Sequence, residues 1–135
     1  MNIDRSQWIC CQLGARENYA IPRVLFQHNK LARLITDAWV TPRSPINRLP
    51  QSLLPSLRER FHSELAQATV CSFNNSLFNF ELSQKLNRNK GWSKIIDRNN
   101  WFQEQAVKAL KKYSSKISAP ITIFAYSYTA LELFR

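Results

Sequence analysis

The chain has 135 residues, 44% of them apolar and 12% aromatic, which is enough to fill the core of one domain and argues against a disordered segment. Nineteen lysines and arginines against nine aspartates and glutamates leave a net charge of +10 and point to an anionic partner: nucleic acid, an acidic membrane surface or a phosphorylated substrate. The cations are scattered, so no basic tail is expected, and the first apolar stretch, Trp8 to Cys11, is too short for a secretion signal or a membrane span.

The opening run Gln7 to Leu13 predicts a strand that ends at Gly14, and Glu17 to His28 predicts a helix that tolerates Pro22 near its first turn. Leu34, Ile35 and Thr36, within Leu31 to Val40, predict a second strand. Two strands joined by a helix begin a parallel sheet. A proline-rich connection from Pro42 to Pro55 follows, and Pro55 is placed to open a helix carrying Leu57, Phe61 and Leu65 at four-residue steps. Ala68 to Phe73 predicts a third strand. Helices are expected over 76–88 and 93–117, divided by Gly91, the longer one carrying Ile95, Phe102, Ala106, Leu110, Tyr113 and Ile117 at helical spacing. Pro120 precedes a fourth strand, Ile121 to Ala125, and the remainder reads as the first turns of a helix. The order is that of an α/β, doubly wound parallel sheet of about four strands with helices on both faces. Such sheets usually have five or more strands, and Leu131, Leu133 and Phe134 are followed by no stop signal; both features predict an incomplete domain, a part of something longer.

In open α/β sheets ligands bind beyond the carboxyl ends of the strands. That rule singles out Gly14 to Asn18, Asp37 to Trp39, Asn74 to Ser76 and Tyr126 to Tyr128. A glycine before a helix allows a close backbone approach to a phosphate, and Arg16 can add a charge-assisted contact; an ordinary strand-to-helix turn with a solvated arginine is the alternative. Asn75 or Ser76 suits a helix cap, though the Asn74 to Ser76 stretch could also hydrogen-bond a sugar. His28 and His62 have no partner at a diagnostic spacing and read as surface or capping residues, and Glu59 and Glu64 as solvated carboxylates. Cys10, Cys11 and Cys71 lack metal-ligand spacing, so reduced thiols in a cytoplasmic protein are expected. Lys94, Arg98, Trp101, Gln105, Lys108 and Lys112 share one helix face, suited either to an anionic membrane headgroup layer or to plain solvation with Trp101 over a neighbouring helix. The net charge of +10 and the scattered aromatics make a small basic binding module for nucleic acid or membrane the alternative function, although no RRM, helix-turn-helix or zinc-knuckle pattern is visible.

The run from Gly14 through Arg23, continuing to His28 and Thr36, resembles the opening of glycosyltransferase family 4 enzymes, in which a glycine loop after the first strand leads into a helix and a second strand. Phe124 to Phe134 is similar to a strand-to-helix step in a bacterial branch of that family. The resemblance implies a partial N-terminal, acceptor-side Rossmann-like domain over residues 1–135 of a two-domain GT-B enzyme. The donor-binding domain that carries the paired glutamates would then be absent, and this chain would be inactive alone. It implies retaining transfer from a nucleotide-sugar to a glycan or lipid-linked acceptor, with no metal, at the cytoplasmic face of a membrane. Gly14 and Ala15 would then lie beside the donor diphosphate, and Arg16, Asn18, Tyr126, Ser127 and Tyr128 would border the acceptor. Ala15 stands where a second glycine is usual, and no histidine ends the fourth strand.

Overall fold

The computed structural model describes residues 6–50 and 57–135. Strands β1 (Gln7–Gln12), β2 (Leu31–Thr36), β3 (Val70–Ser72) and β4 (Ile121–Ala125) form one sheet in the order β3-β2-β1-β4, with every neighbouring pair parallel. Three α-helices connect them: α1 (Ala20–Gln27) between β1 and β2, and α2 (Asn74–Leu86) with α3 (Gly91–Ser114) between β3 and β4. This is an α/β, Rossmann-like arrangement.

Alternation along the strands sorts the core into two halves. Ile9, Cys11 and Ile35 project to the face covered by α3, where Phe102 and Ala106 are fully buried against them. Cys10 and Leu34 project to the opposite face, with Tyr19 and Leu65, and are covered by Ile21, Leu25 and Phe26 at and around α1. The adjacent cysteines therefore serve one core face each. Both thiols are free, and burial pushes each from 9.0 to about 12.

Two elements differ from the expectation. Residues 57–65 carry helical spacing, yet they form two short 3-10 turns, Leu57–Glu59 and Ser63–Leu65, separated by an extended His62. Tertiary contacts override the local pattern: Val40 N–H donates to the Arg60 carbonyl at 2.9 Å, Phe61 packs on Trp39 at 5.2 Å, and Leu65 is buried under α1. Pro55, the expected helix start, lies outside the described residues. The second difference is at Glu17–Tyr19, which is not the start of a right-handed helix. Glu17, Asn18 and Tyr19 have φ of 49°, 52° and 58°, a left-handed turn, and α1 begins only at Ala20 with Pro22 in its first turn. After β4, the expected helical turns are 3-10 turns at Ser127–Thr129 and Leu131–Leu133.

The other elements start within a few residues of their expected positions. Phe73, not Asn75 or Ser76, holds the N-cap position of α2. Asn74 instead braces the end of β2: its side chain accepts from Trp39 N–H at 2.9 Å and donates to the Trp39 carbonyl at 3.0 Å. His62 caps, as its position suggests, accepting from Glu64 N–H through Nδ1 at 3.2 Å.

Replacing Phe102 by Ala removes the largest side chain buried in the α3 core and is expected to cost about 3–5 kcal/mol, read from urea unfolding midpoints. Leu86→Ala, at an exposed site, should stay within about 0.5 kcal/mol of the native protein. A second expectation concerns alkaline pH. The folded state holds the Cys10 and Cys11 protons more tightly than the unfolded chain. Their contribution is therefore complete below pH 9.0 and is lost as the pH rises toward about 12, which unfolding curves across that window would show.

Candidate functional site

In the order β3-β2-β1-β4 the chain leaves β1 toward β2 on one side and comes back to pair β4 on the other, so the direction of winding switches between β1 and β4. The loops that follow these two strands, Leu13 to Tyr19 and Tyr126 to Thr129, border a cleft of about 620 Å³. Gly14, Ala15, Arg16 and Tyr128 line one side, Glu59 and Arg60 a second, and Trp92, Ile95, Arg98 and Asn99 of α3 the third.

The glycine turn is built around a buried carboxylate. Asp37, 1% exposed at the end of β2, accepts from Gly14 N–H at 3.0 Å and from the Thr36 hydroxyl at 3.2 Å, and Arg60 lies 3.3 Å from its other oxygen. Gly14 has φ of +81°, a conformation that favours glycine, and a Cβ there would stand 3.0 Å from Arg60 Nη1, so the guanidinium would have to shift slightly to admit one. Gln12, fully buried, donates through Nε2 to the carbonyls of Gly14 and Arg16, each at 3.0 Å. Three hydrogen bonds therefore fix the path of the loop.

Arg16 projects over the second loop. Its guanidinium carbon lies 4.3 Å from the centre of the Tyr128 ring and 6.0 Å from that of Tyr126, and the two tyrosines stack at 5.9 Å. Tyr128 donates to the Leu13 carbonyl at 3.2 Å, and Tyr126 to Glu17 at 3.4 Å. Burial raises both phenols above the ordinary tyrosine value, so both remain neutral donors at physiological pH. Arg98 is held below the usual arginine value, first by burial and then by the like charge of Arg60, while Asp37 acts in the opposite sense. Its Nη2 pairs with Glu81, and its buried Nε finds no partner among the described residues.

Of the residues singled out in the sequence, Gly14, Ala15, Arg16 and Tyr128 meet at the cleft, and Tyr126 backs Tyr128. Asn18 and Ser127 are exposed and outside the lining; the Asn18 carbonyl accepts from Arg23 at 3.4 Å. The Gly14 amide, the donor that a diphosphate would need, already donates to Asp37, and α1 starts only beyond the left-handed turn. Positive charge on the cleft wall comes from Arg16, Arg60 and Arg98, the last two paired with the Asp37 and Glu81 carboxylates, and Glu59 is the acidic residue in the lining. Arg60 and Trp92 carry no local sequence signal; they reach the cleft because residues 57–65 fold back on β2 and because α3 is longer than the sheet. Among the described residues no group of His, Cys, Asp or Glu is placed to hold a metal ion, and no helix is long and apolar enough to cross a membrane.

The basic face of α3 is divided. Lys94 and Arg98 both pair with the buried Glu81 of α2, and Trp101 stacks on Phe80 at 5.3 Å and donates to the Ser76 hydroxyl at 3.0 Å. Lys108 and Lys112 remain exposed. Comparison with protein-family models, curated proteins and solved structures found no match to this chain.

Replacing Asp37 by Asn keeps an acceptor for Gly14 but leaves Arg60 without its carboxylate, with an expected loss of about 3 kcal/mol. Gly14→Ala should cost about 1–2 kcal/mol from backbone conformation. Chemical denaturation of both variants checks these values; an unchanged midpoint for Asp37→Asn would show that the ion pair carries no weight.

Proposed function

We propose that this chain is the acceptor-side α/β domain of a retaining glycosyltransferase resembling family 4, and that an acceptor bearing an anionic group binds in the cleft at the β1/β4 switch point. In this reading the nucleotide-sugar is held chiefly by a second, donor-binding domain, and residues 1–135 bind acceptor without turning over donor. One observation supports it above the others: Arg16, Arg60 and Arg98 converge on a cleft at the carboxyl rim, beside the pre-organised Gly14 turn and the tyrosine pair. Guanidinium groups suit phosphate and carboxylate because they present several N–H donors in a fixed plane, and Tyr128 adds an aromatic side chain to the same wall.

Arg16 is the residue to vary, because it is exposed and its removal leaves the Asp37 and Glu81 pairs in place. Titration of the chain with glucose 6-phosphate, inorganic phosphate and UDP-glucose is expected to show saturable binding of the sugar phosphate, displaced by inorganic phosphate, with no release of UDP from UDP-glucose. Arg16→Ala should weaken that binding by about tenfold or more, the loss of one charge-assisted hydrogen bond. Absence of saturable binding, or an Arg16→Ala variant that binds like the native chain, would sink the proposal.

A further inference from the structure

Helix α3 has 24 residues, about 36 Å, whereas the longest strands it covers have six, about 20 Å. Its core stripe seats Phe102 and Ala106 on the sheet and then continues past the carboxyl rim with no strand beneath it. Trp92, 79% exposed, and Ile95 and Ile96, 49% and 54%, stand on these overhanging first turns. The end of α2 is similar. Phe78, Leu82 and Leu86 follow one another at four-residue steps, all exposed, and Leu86 at 76% is the last residue of the helix. Between the two helices lies a short turn with Arg88 and Lys90, both exposed, and with Gly91 facing open space.

The corner is braced by hydrogen bonds, and the charge at its turn is one-sided. Asn89 clips the turn by donating to Gln84 at 2.8 Å and to Asp97 at 2.6 Å, so the apolar residues are presented by a fixed scaffold. The two carboxylates nearest the turn are engaged, Glu81 buried against Lys94 and Arg98 and Asp97 accepting from Asn89, while the exposed Glu104 lies about two turns further along α3. Arg88 and Lys90 make no ion pair among the described residues. Scattered exposed apolar residues are ordinary on protein surfaces. Leucine, isoleucine and tryptophan gathered at one tip and rimmed by uncompensated cations are not.

We propose that the α2–α3 corner docks on an anionic phospholipid surface, with Leu86, Trp92 and Ile96 entering the headgroup boundary and Arg88 and Lys90 contacting lipid phosphates. A bilayer satisfies both parts of the patch: it covers the aliphatic groups and its negative surface potential attracts the cations. Nucleic acid would engage the cations and stack on Trp92, and it would leave Leu86 and Ile96 in water. The docking face differs from the side of α3 bearing Trp101, whose aromatic ring and nearest cations are already engaged with α2. It does not depend on what the cleft binds, although Trp92 and Ile95 belong to both and a docked corner would hold the cleft mouth at the lipid surface.

The test is co-sedimentation of the full chain with vesicles of phosphatidylcholine alone or mixed with phosphatidylserine, at low and high salt. The chain is expected to sediment with the anionic vesicles, less so in high salt, with a blue shift of tryptophan emission that Trp92→Phe abolishes. Arg88→Gln with Lys90→Gln, and separately Leu86→Ala with Trp92→Ala, should each weaken binding by about tenfold or more. Lys108→Gln with Lys112→Gln makes the same change in net charge about 27–33 Å beyond Lys90 along α3 and should leave binding nearly intact. Equal loss in that control would reduce the effect to net charge and overturn the assignment. So would failure to bind anionic vesicles, or a salt-sensitive RNA gel shift that the corner variants abolish while vesicles remain unbound.

Discussion

The Asp37 carboxylate is the constraint on which the rim of this sheet depends. It follows β2, accepts the Gly14 amide of the β1 loop, and draws Arg60 in from between two short 3-10 turns. Three stretches of chain distant in sequence are joined at one buried charge. A carboxylate at 1% exposure is stable there only because a guanidinium and two hydrogen-bond donors replace the water it lost. Its position also decides the chemistry next to it. With Gly14 N–H committed to Asp37, the glycine turn shapes the cleft, and the positive charge on its wall comes from arginine side chains.

The left-handed turn at Glu17–Tyr19 shows the same logic in backbone form. Consecutive non-glycine residues at φ near +50° are strained, each by about 1–2 kcal/mol, and the strain must be offset by packing. Tyr19 provides that packing: it is fully buried, edge-on to Trp39 at 5.5 Å, and Trp39 is in turn clamped by Phe61 and by both amide atoms of Asn74. The turn places Arg16 over the tyrosine pair, where a right-handed helix beginning at Glu17 would carry the chain along another path. Strain, aromatic packing and the placement of a cleft cation are thus one arrangement.

Helix length links the cleft to the outer surface. Because α3 is longer than the strands beneath it, its first turns overhang the rim, and the stripe that is core at Phe102 becomes a cleft wall at Ile95 and an exposed corner at Trp92. The two sites share side chains for this reason. The pairs of Glu81 with Lys94 and Arg98 hold α2 against α3 beside that overhang.

Strand positions, the division of the core between two faces and the parallel order of the elements were legible in the sequence. They follow from short-range rules: apolar runs such as Gln7 to Leu13, helical periodicity in α3, and glycine or proline at the boundaries. The amino-acid sequence also showed Gly14, Arg16 and the tyrosine loop as rim residues, since the carboxyl end of a strand is known once the strand is known. Only the tertiary structure decided that Leu57, Phe61 and Leu65 would not make a helix, that Asp37 would take the Gly14 amide, and that Arg60, Arg98 and Trp92 would meet at one cleft. Those outcomes depend on a buried charge choosing among partners far apart in the chain and on the length of one helix compared with its sheet, quantities that no local window of sequence contains.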